Sequence, residues 1–193
     1  MSGRESMENM WTDKVDFKKI SPDDPGEFEG FYSVERLVAD NLAEVPRKIG
    51  VYLVLWPGEK DPETQMPRVM PKFNDGMETG FSQNRVPSLP TKDLPGKWVE
   101  GTPVVYIGKA GVLNGRGKSN LHTRLREYLK WYQRKKNKHH GGRDIWRIGN
   151  PGKLLVAWRV TEHEDPRSCE ATLIQRFKTQ NPGHCRPFAN RQD

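Results

Sequence analysis

The stretches GVYLVL at residues 50–55 and VVYIGK at residues 104–109 decide the fold of this chain. Each is an apolar run rich in β-branched residues, with Tyr52 inside the first and Tyr106 inside the second. Turn-forming residues bound both runs, so both are typical of β-strands. Because side chains alternate along a strand, Gly108 lies on the same face as Tyr106 and leaves space beside that ring.

The other elements are predicted from apolar periodicity and from residues that begin or end helices. A third strand is expected over residues 154–161. Helices are predicted over 33–43, over 119–136 with Ser119 as cap, and from Asp165-Pro166 to Gln180. The element order β-β-α-β-α predicts an α+β fold with a small three-stranded, mainly antiparallel sheet flanked by helices.

A length of 193 residues suits one domain with a substantial core. Residues 1–45 are predicted to form an N-terminal arm and a short helix, and residues 46–193 to form the main domain. Residues 57–103 are a long, proline-rich insertion between the first two strands, without sustained periodicity. Loops of this length are usually functional or disordered.

Composition favours a cytoplasmic protein with no membrane partner. No window approaches 18 apolar residues, and the N-terminus lacks the apolar stretch of a secretory signal. Cys169 and Cys185 do not make a disulfide framework, and no Cys-x-x-Cys pair suggests zinc. The glycine-rich segment 111–119 fails the P-loop pattern at Val112, which argues against an NTPase.

The net charge of +7 is concentrated in one segment. Residues 116–159 contain thirteen Lys and Arg but only two acids, Glu127 and Asp144, which gives this segment +11 and the rest of the chain −4. Too few acids are present to neutralise the segment, so a polyanionic partner is expected. With Trp131 and Trp146 available for stacking, the predicted nucleic-acid-binding residues are Lys118, Arg126, Lys130, Arg134, Lys135, Lys136, Lys138, Arg143 and Arg147.

Two side chains in the predicted helices suggest chemistry. Glu170 aligns with Ile174 and Phe177 at i+4 and i+7, so its carboxylate points towards the core. A carboxylate there is unfavourable unless it pairs with a base, for which Arg124 is a candidate, or binds a metal ion. Arg124 itself lies four residues before Tyr128, on the same side of the basic helix.

Two strand tyrosines, a basic helix and a later helical glutamate, in this order, resemble the GIY-YIG nucleases. The resemblance covers roughly residues 49–190 and includes the sequence Pro187-Phe188-Ala189-Asn190, because the family often has an asparagine shortly after a proline. This chain departs from the usual pattern in separating Tyr52 from Tyr106 by 54 positions. Stand-alone restriction enzymes of the family carry insertions in similar places.

The resemblance implies a metal-dependent DNA endonuclease that hydrolyses phosphodiester bonds, most simply of double-stranded DNA, as a monomer or a homodimer. The implied metal is Mg²⁺, or another divalent cation such as Mn²⁺, with Glu170 as its single protein ligand. The implied catalytic residues are Tyr52, Tyr106, Lys109, Arg124, Tyr128, Glu170 and Asn190.

The implied roles are specific. Lys109 and Arg124 are expected to favour a tyrosine phenolate, since a free tyrosine is a poor base, and Arg124 also clamps phosphate oxygens. Asn190 is expected to hydrogen-bond an active-site backbone or to orient a water. The alternative for Tyr52 and Tyr106 is that both rings only pack within the sheet and take no part in catalysis. The alternative function is a catalytically inactive scaffold of the same family that binds nucleic acid.

Overall fold

The computed structural model describes the greater part of the chain and combines helices with an antiparallel sheet of four strands. No helix in the described part is long and apolar enough to cross a membrane. The described residues are 28–59, 63, 68–74, 89–113, 119–133, 135, 142–181, 183 and 185–191.

The strands lie in the order β1-β4-β2-β3, so β2 is central and β3 is at an edge. The three strands that the sequence predicts are β2, β3 and β4. Their bounds, with those of the additional strand, are β1 Glu29–Ser33, β2 Gly50–Leu55, β3 Val104–Ala110 and β4 Leu155–Val160.

Strand β1 corrects the predicted count of three. Its residues belong to the segment assigned to the N-terminal arm and short helix, but they pair antiparallel with β4. The register shifts between Gly30 and Tyr32, and Gly30 and Phe31 both have positive φ, at 97° and 55°. This irregularity removes the simple alternation by which a strand is recognised in a sequence.

Within the described ranges the chain forms three α-helices, α1 (Val34–Ala39), α2 (Leu121–Leu129) and α3 (Pro166–Gln180). The cap of α2 is Asn120 and not the predicted Ser119, because Asn120 and Thr123 form a reciprocal capping box. The helix is also shorter than predicted. The cap of α3 is Asp165, which accepts a hydrogen bond from the Ser168 amide at 3.3 Å, as the sequence predicts.

The sheet has a packed core on each face. On one face Val51, Leu53 and Ile107 contact the apolar side of α3. On the other face the tyrosines of β2 and β3 pack against α2 and against a 3₁₀ helix at Arg143–Arg147. The sheet therefore holds Tyr52 and Tyr106 rigidly on the α2 side.

A bulge in β3 fixes which side chains face α2. Val54 pairs with Tyr106, but Leu55 pairs with Val104, so Val105 is an extra residue in β3. Val104 consequently packs on the α3 side and Val105 on the α2 side. Strict alternation would have placed Val104 beside Tyr106.

The described ends of the 57–103 insertion are attached to the body of the fold. Phe73 forms a β-bridge with Ile148, and the Asn74 amide donates to the Arg147 carbonyl at 2.7 Å. The Phe73 and Phe188 rings stack at 5.4 Å, which joins the insertion to the C-terminal segment 185–191. The insertion thus contributes to the same side of the molecule as the tyrosines.

Candidate active site

Three tyrosine rings from different elements pack together on the α2 side of the sheet. The Tyr52 centroid lies 6.0 Å from that of Tyr106 and 5.9 Å from that of Tyr128. Tyr106 and Tyr128 are stacked at 5.5 Å, with 20° between their planes. Tyr52 and Tyr128 are fully buried, whereas Tyr106 keeps 6% of its surface exposed. Tyr106 is therefore the least buried ring of this stack.

Two glycines provide the space that the rings occupy. Gly108 pairs with Tyr52 across the strands, and a Cβ at Gly108 would lie 2.5 Å from Tyr52 Cζ and 2.9 Å from Tyr106 Cε1. The predicted space beside Tyr106 is confirmed, and Tyr52 uses it as well. Gly142, at φ 66°, touches the Tyr128 hydroxyl and accepts its hydrogen bond at 3.1 Å.

Arg124 and Glu170 reach this stack from two different helices. Arg124 is half-buried on α2, and Glu170 is half-buried on α3. The Arg124 charge lowers the pKa of Tyr52, Tyr106 and Glu170, each against a larger opposing effect of burial. The structure thus brings together the two strand tyrosines, the arginine and the glutamate, which the sequence separates by up to 118 positions.

The phenol groups are neutral in the free protein. Burial raises the pKa of Tyr52, and it raises the pKa of Tyr106 and Tyr128 well above the usual value of 10.0. Arg124 and the Tyr106 hydroxyl oppose this effect at Tyr52 without cancelling it. The Arg124 charge favours the phenolates of Tyr52 and Tyr106, as expected, but the loss of solvent on burial outweighs it. The charge of Lys109 acts on Glu170.

Two buried polar atoms of the site make no hydrogen bond of ordinary length and angle with any described residue. They are the Tyr52 hydroxyl and Arg124 Nε. The Tyr52 hydroxyl lies near Tyr106 and Arg124, whose side chains lower its pKa. Both side chains interact with the Tyr52 hydroxyl through hydrogen bonds of imperfect geometry, so the three groups form one polar network in the site.

Glu170 is a suitable ligand for a metal ion, but the described residues do not complete a coordination shell around it. Burial raises the pKa of its carboxyl, and the charges of Lys109, Arg124 and Arg167 lower it less. No ion pair joins Glu170 to the alternative partner Arg124 in the described part of the chain. The described residues contain no group of three or more His, Cys, Asp and Glu side chains suited to a metal. A hard cation at Glu170 would need water and phosphate oxygens as its other ligands.

Asn190 holds the backbone of the edge strand β3. Its side chain donates to the Ile107 carbonyl at 2.9 Å and accepts from the Ile107 amide at 2.9 Å. The Ala189 amide also donates to the Val105 carbonyl at 2.8 Å. Asn190 thus hydrogen-bonds the backbone next to Tyr106, which is the first of its two predicted roles.

The predicted nucleic-acid-binding residues divide into three groups. Arg126 and Lys135 are exposed, whereas Lys130 is half-buried and pairs with Glu127 at 2.6 Å. Arg143 and Arg147 are buried. The remaining predictions lie outside the described residues; they are Lys118, Arg134, Lys136 and Lys138.

The predictions for Arg143, Arg147 and Trp146 need correction. Arg147 is 2% exposed, and its guanidinium donates to the Leu89 carbonyl and to the Thr91 hydroxyl. Trp146 is 1% exposed and packs against Tyr128, at 5.1 Å between ring centroids. These side chains hold the insertion and the tyrosine stack in place, and their burial leaves no surface for backbone contacts or base stacking.

The sequence does not predict one cluster of ion pairs next to the tyrosines. Asp144 is 1% exposed, and its carboxylate pairs with Arg191 at 3.0 Å and with Lys97 at 3.4 Å. Its one signal in the sequence is that Asp144 is an acid within the segment 116–159, which contains thirteen Lys and Arg residues. Nothing local in the sequence marks Lys97 or Arg191 as its partners.

Comparison with known proteins adds no relative to this chain. No family model matches it, no curated protein matches its sequence, and no solved structure matches its fold. Its function has to be inferred from its own residues and their geometry.

Proposed function

We propose that this chain is a nuclease of the GIY-YIG type that hydrolyses phosphodiester bonds of DNA with a divalent metal ion. One observation carries the proposal. Tyr52, Tyr106, Arg124 and Glu170 come from four different elements and interact electrostatically at one place, where the tyrosines are buried and the two charged side chains are half-buried. Arg124 Nε, which has no hydrogen-bond partner among the described residues, supports it further, since a phosphate oxygen would complete its hydrogen bonding.

In this proposal the chain's own residues bind and orient the phosphate. The Arg124 guanidinium holds two phosphate oxygens and offsets the charge that develops in the transition state. Tyr106, the least buried member of the stack, donates its phenolic proton in a hydrogen bond to a phosphate oxygen or to the attacking water. Lys109, whose charge already acts on Glu170, adds positive charge near the scissile bond.

Glu170 is the residue that would hold Mg²⁺ or Mn²⁺. When bound, the ion supplies Lewis-acid chemistry, because it polarises a phosphate oxygen and lowers the pKa of a water molecule. Such activation matters here because the pKa values of all three phenols are raised, which makes them poor general bases. Of the three, Tyr52 is the best placed to ionise, since Arg124 and the Tyr106 hydroxyl both lower its pKa.

The test is digestion of supercoiled plasmid with Mg²⁺ by the wild type and by Glu170→Ala and Arg124→Ala. Arg36→Ala is the matched control, because Arg36 lies on α1 and already pairs with Asp40 at 3.5 Å. We expect nicked or linear products from the wild type and the control only. Absence of cleavage by the wild type on several DNA forms, or full cleavage by Glu170→Ala, contradicts the proposal.

The raised pKa values of the tyrosines favour a second candidate function, nucleic-acid binding without cleavage. A binding protein of this kind would retain salt-sensitive affinity for DNA. Its affinity would be unchanged in Glu170→Ala and Arg124→Ala. Measuring binding and cleavage on the same variants separates the two functions.

A further inference from the structure

The ion cluster at Asp144 joins three distant parts of the chain beside the candidate active site. Asp144 belongs to the 3₁₀ helix Arg143–Arg147, Lys97 to the insertion, and Arg191 to the C-terminal segment. Arg191 is bound through two nitrogens, with Nη2 at 3.0 Å from Oδ1 and Nε at 3.2 Å from Oδ2. Such a forked pair fixes the guanidinium in orientation as well as in position.

This cluster contains more positive than negative charge. The single carboxylate of Asp144 faces both Lys97 and Arg191, whose side chains are 28% and 27% exposed. Burial lowers the pKa of Lys97, and the Arg191 charge lowers it further, although Asp144 raises it. Among the described residues the cluster thus has two cations for one carboxylate in a partly dehydrated place, where an anion from solution would be stabilised.

The cluster is connected to the surroundings of Tyr106 at two points. Arg191 directly follows Asn190, whose side chain is hydrogen-bonded to Ile107 of β3. On its other side Gly142, two residues before Asp144, lies so close to the Tyr106 ring that an added Cβ would be 2.9 Å from Tyr106 Cε2. Both anchor points of the cluster are thus next to residues that surround Tyr106.

We propose that Lys97 and Arg191, oriented by Asp144, form a second phosphate-binding subsite for a nucleic-acid strand bound at the candidate site of Tyr106 and Arg124. This inference rests on the proposed function. The subsite reads backbone charge and not base identity, because it offers an ammonium and a guanidinium to a phosphate. The insertion would then take part in substrate binding, because it contributes Lys97 to this subsite.

The test measures the affinity for a duplex DNA oligonucleotide as a function of salt, in the Glu170→Ala background without metal, so that no cleavage interferes. The DNA association constant K falls as salt concentration rises, and each lost phosphate contact makes the slope of log K against log salt concentration shallower by about 0.9. We expect Lys97→Gln and Arg191→Gln each to lose one contact, and the double variant to lose both. Arg191→Lys, which keeps the charge, and the control Arg36→Ala should keep the full slope.

Unchanged slopes in folded Lys97→Gln and Arg191→Gln proteins overturn the inference. If Arg191→Gln does not fold, Lys97→Gln alone decides, because Lys97 is the more weakly bound partner of Asp144. Plasmid cleavage with unchanged slopes removes this subsite but leaves the nuclease proposal intact. Reduced slopes without any cleavage by the wild type remove the nuclease activity but keep the subsite. A parent protein that binds no DNA removes both.

Discussion

Replacing Gly108 with alanine tests whether the tyrosine geometry is what matters. The added Cβ would lie 2.5 Å from Tyr52 Cζ, about 0.9 Å closer than the 3.4 Å at which ordinary contact begins. Either the Tyr52 ring or the β3 backbone has to move by about that distance. Overpacking of this kind costs about 1–3 kcal/mol of stability. A shift of about 1 Å in a catalytic site lowers the rate by on the order of 100-fold.

Two measurements on the same protein are needed to test this prediction. Urea unfolding gives the stability change, and plasmid cleavage at saturating Mg²⁺ gives the rate. Gly96→Ala is the matched control, because nothing lies within 4 Å of its Cβ and its φ is not positive. A Gly108→Ala protein that cleaves as fast as the wild type would show that the positions of Tyr52 and Tyr106 do not control the reaction. If Gly108→Ala loses stability but keeps full activity, the rings of Tyr52 and Tyr106 serve only to pack the core.

Three further predictions concern single side chains. Glu170→Gln should abolish cleavage yet raise stability at neutral pH: burial raises the pKa of this carboxyl, so its ionised form destabilises the fold. That gain, measured by thermal unfolding, should fade as pH falls to the usual value of 4.5 and below. Asn190→Ala leaves the Ile107 amide and carbonyl without their partner and should cost about 1–3 kcal/mol in urea unfolding; no change would contradict its positioning role. Arg147→Met should cost about 1.5–3 kcal/mol through its lost charged hydrogen bonds. It should leave the salt dependence of DNA binding unaltered, and a reduced slope would restore Arg147 as a phosphate contact.

The sequence predicted those elements whose signals are local. Apolar β-branched runs mark β2 and β3, and the Asp165-Pro166 pair marks the start of α3. Strand β1 was missed because the bulge and the positive φ of Phe31 interrupt its alternation. Propensity and periodicity describe neighbours along the chain, and β1 exists because of β4, which is more than a hundred positions away.

The candidate site was predictable in its residue types but not in its electrostatics. Spacing on α3 indicated that Glu170 points inward, yet only the packed structure shows that burial outweighs positive charge at Tyr52 and Tyr106. The same limit explains the error at Arg147, because a basic run in a sequence does not reveal which of its members are buried. Asp144 pairs with residues 47 positions away in both directions, beyond any local pattern.

The hydrogen bonds between Asn190 and Ile107 have a consequence for the order in which the protein becomes active. During translation β3 emerges from the ribosome more than eighty residues before Asn190. Until then the outer edge of β3 lacks these hydrogen bonds, and Asp144 lacks Arg191. A nascent chain would therefore hold Tyr106 on an unfinished strand, and the candidate site would be complete only after the segment 185–191 has docked.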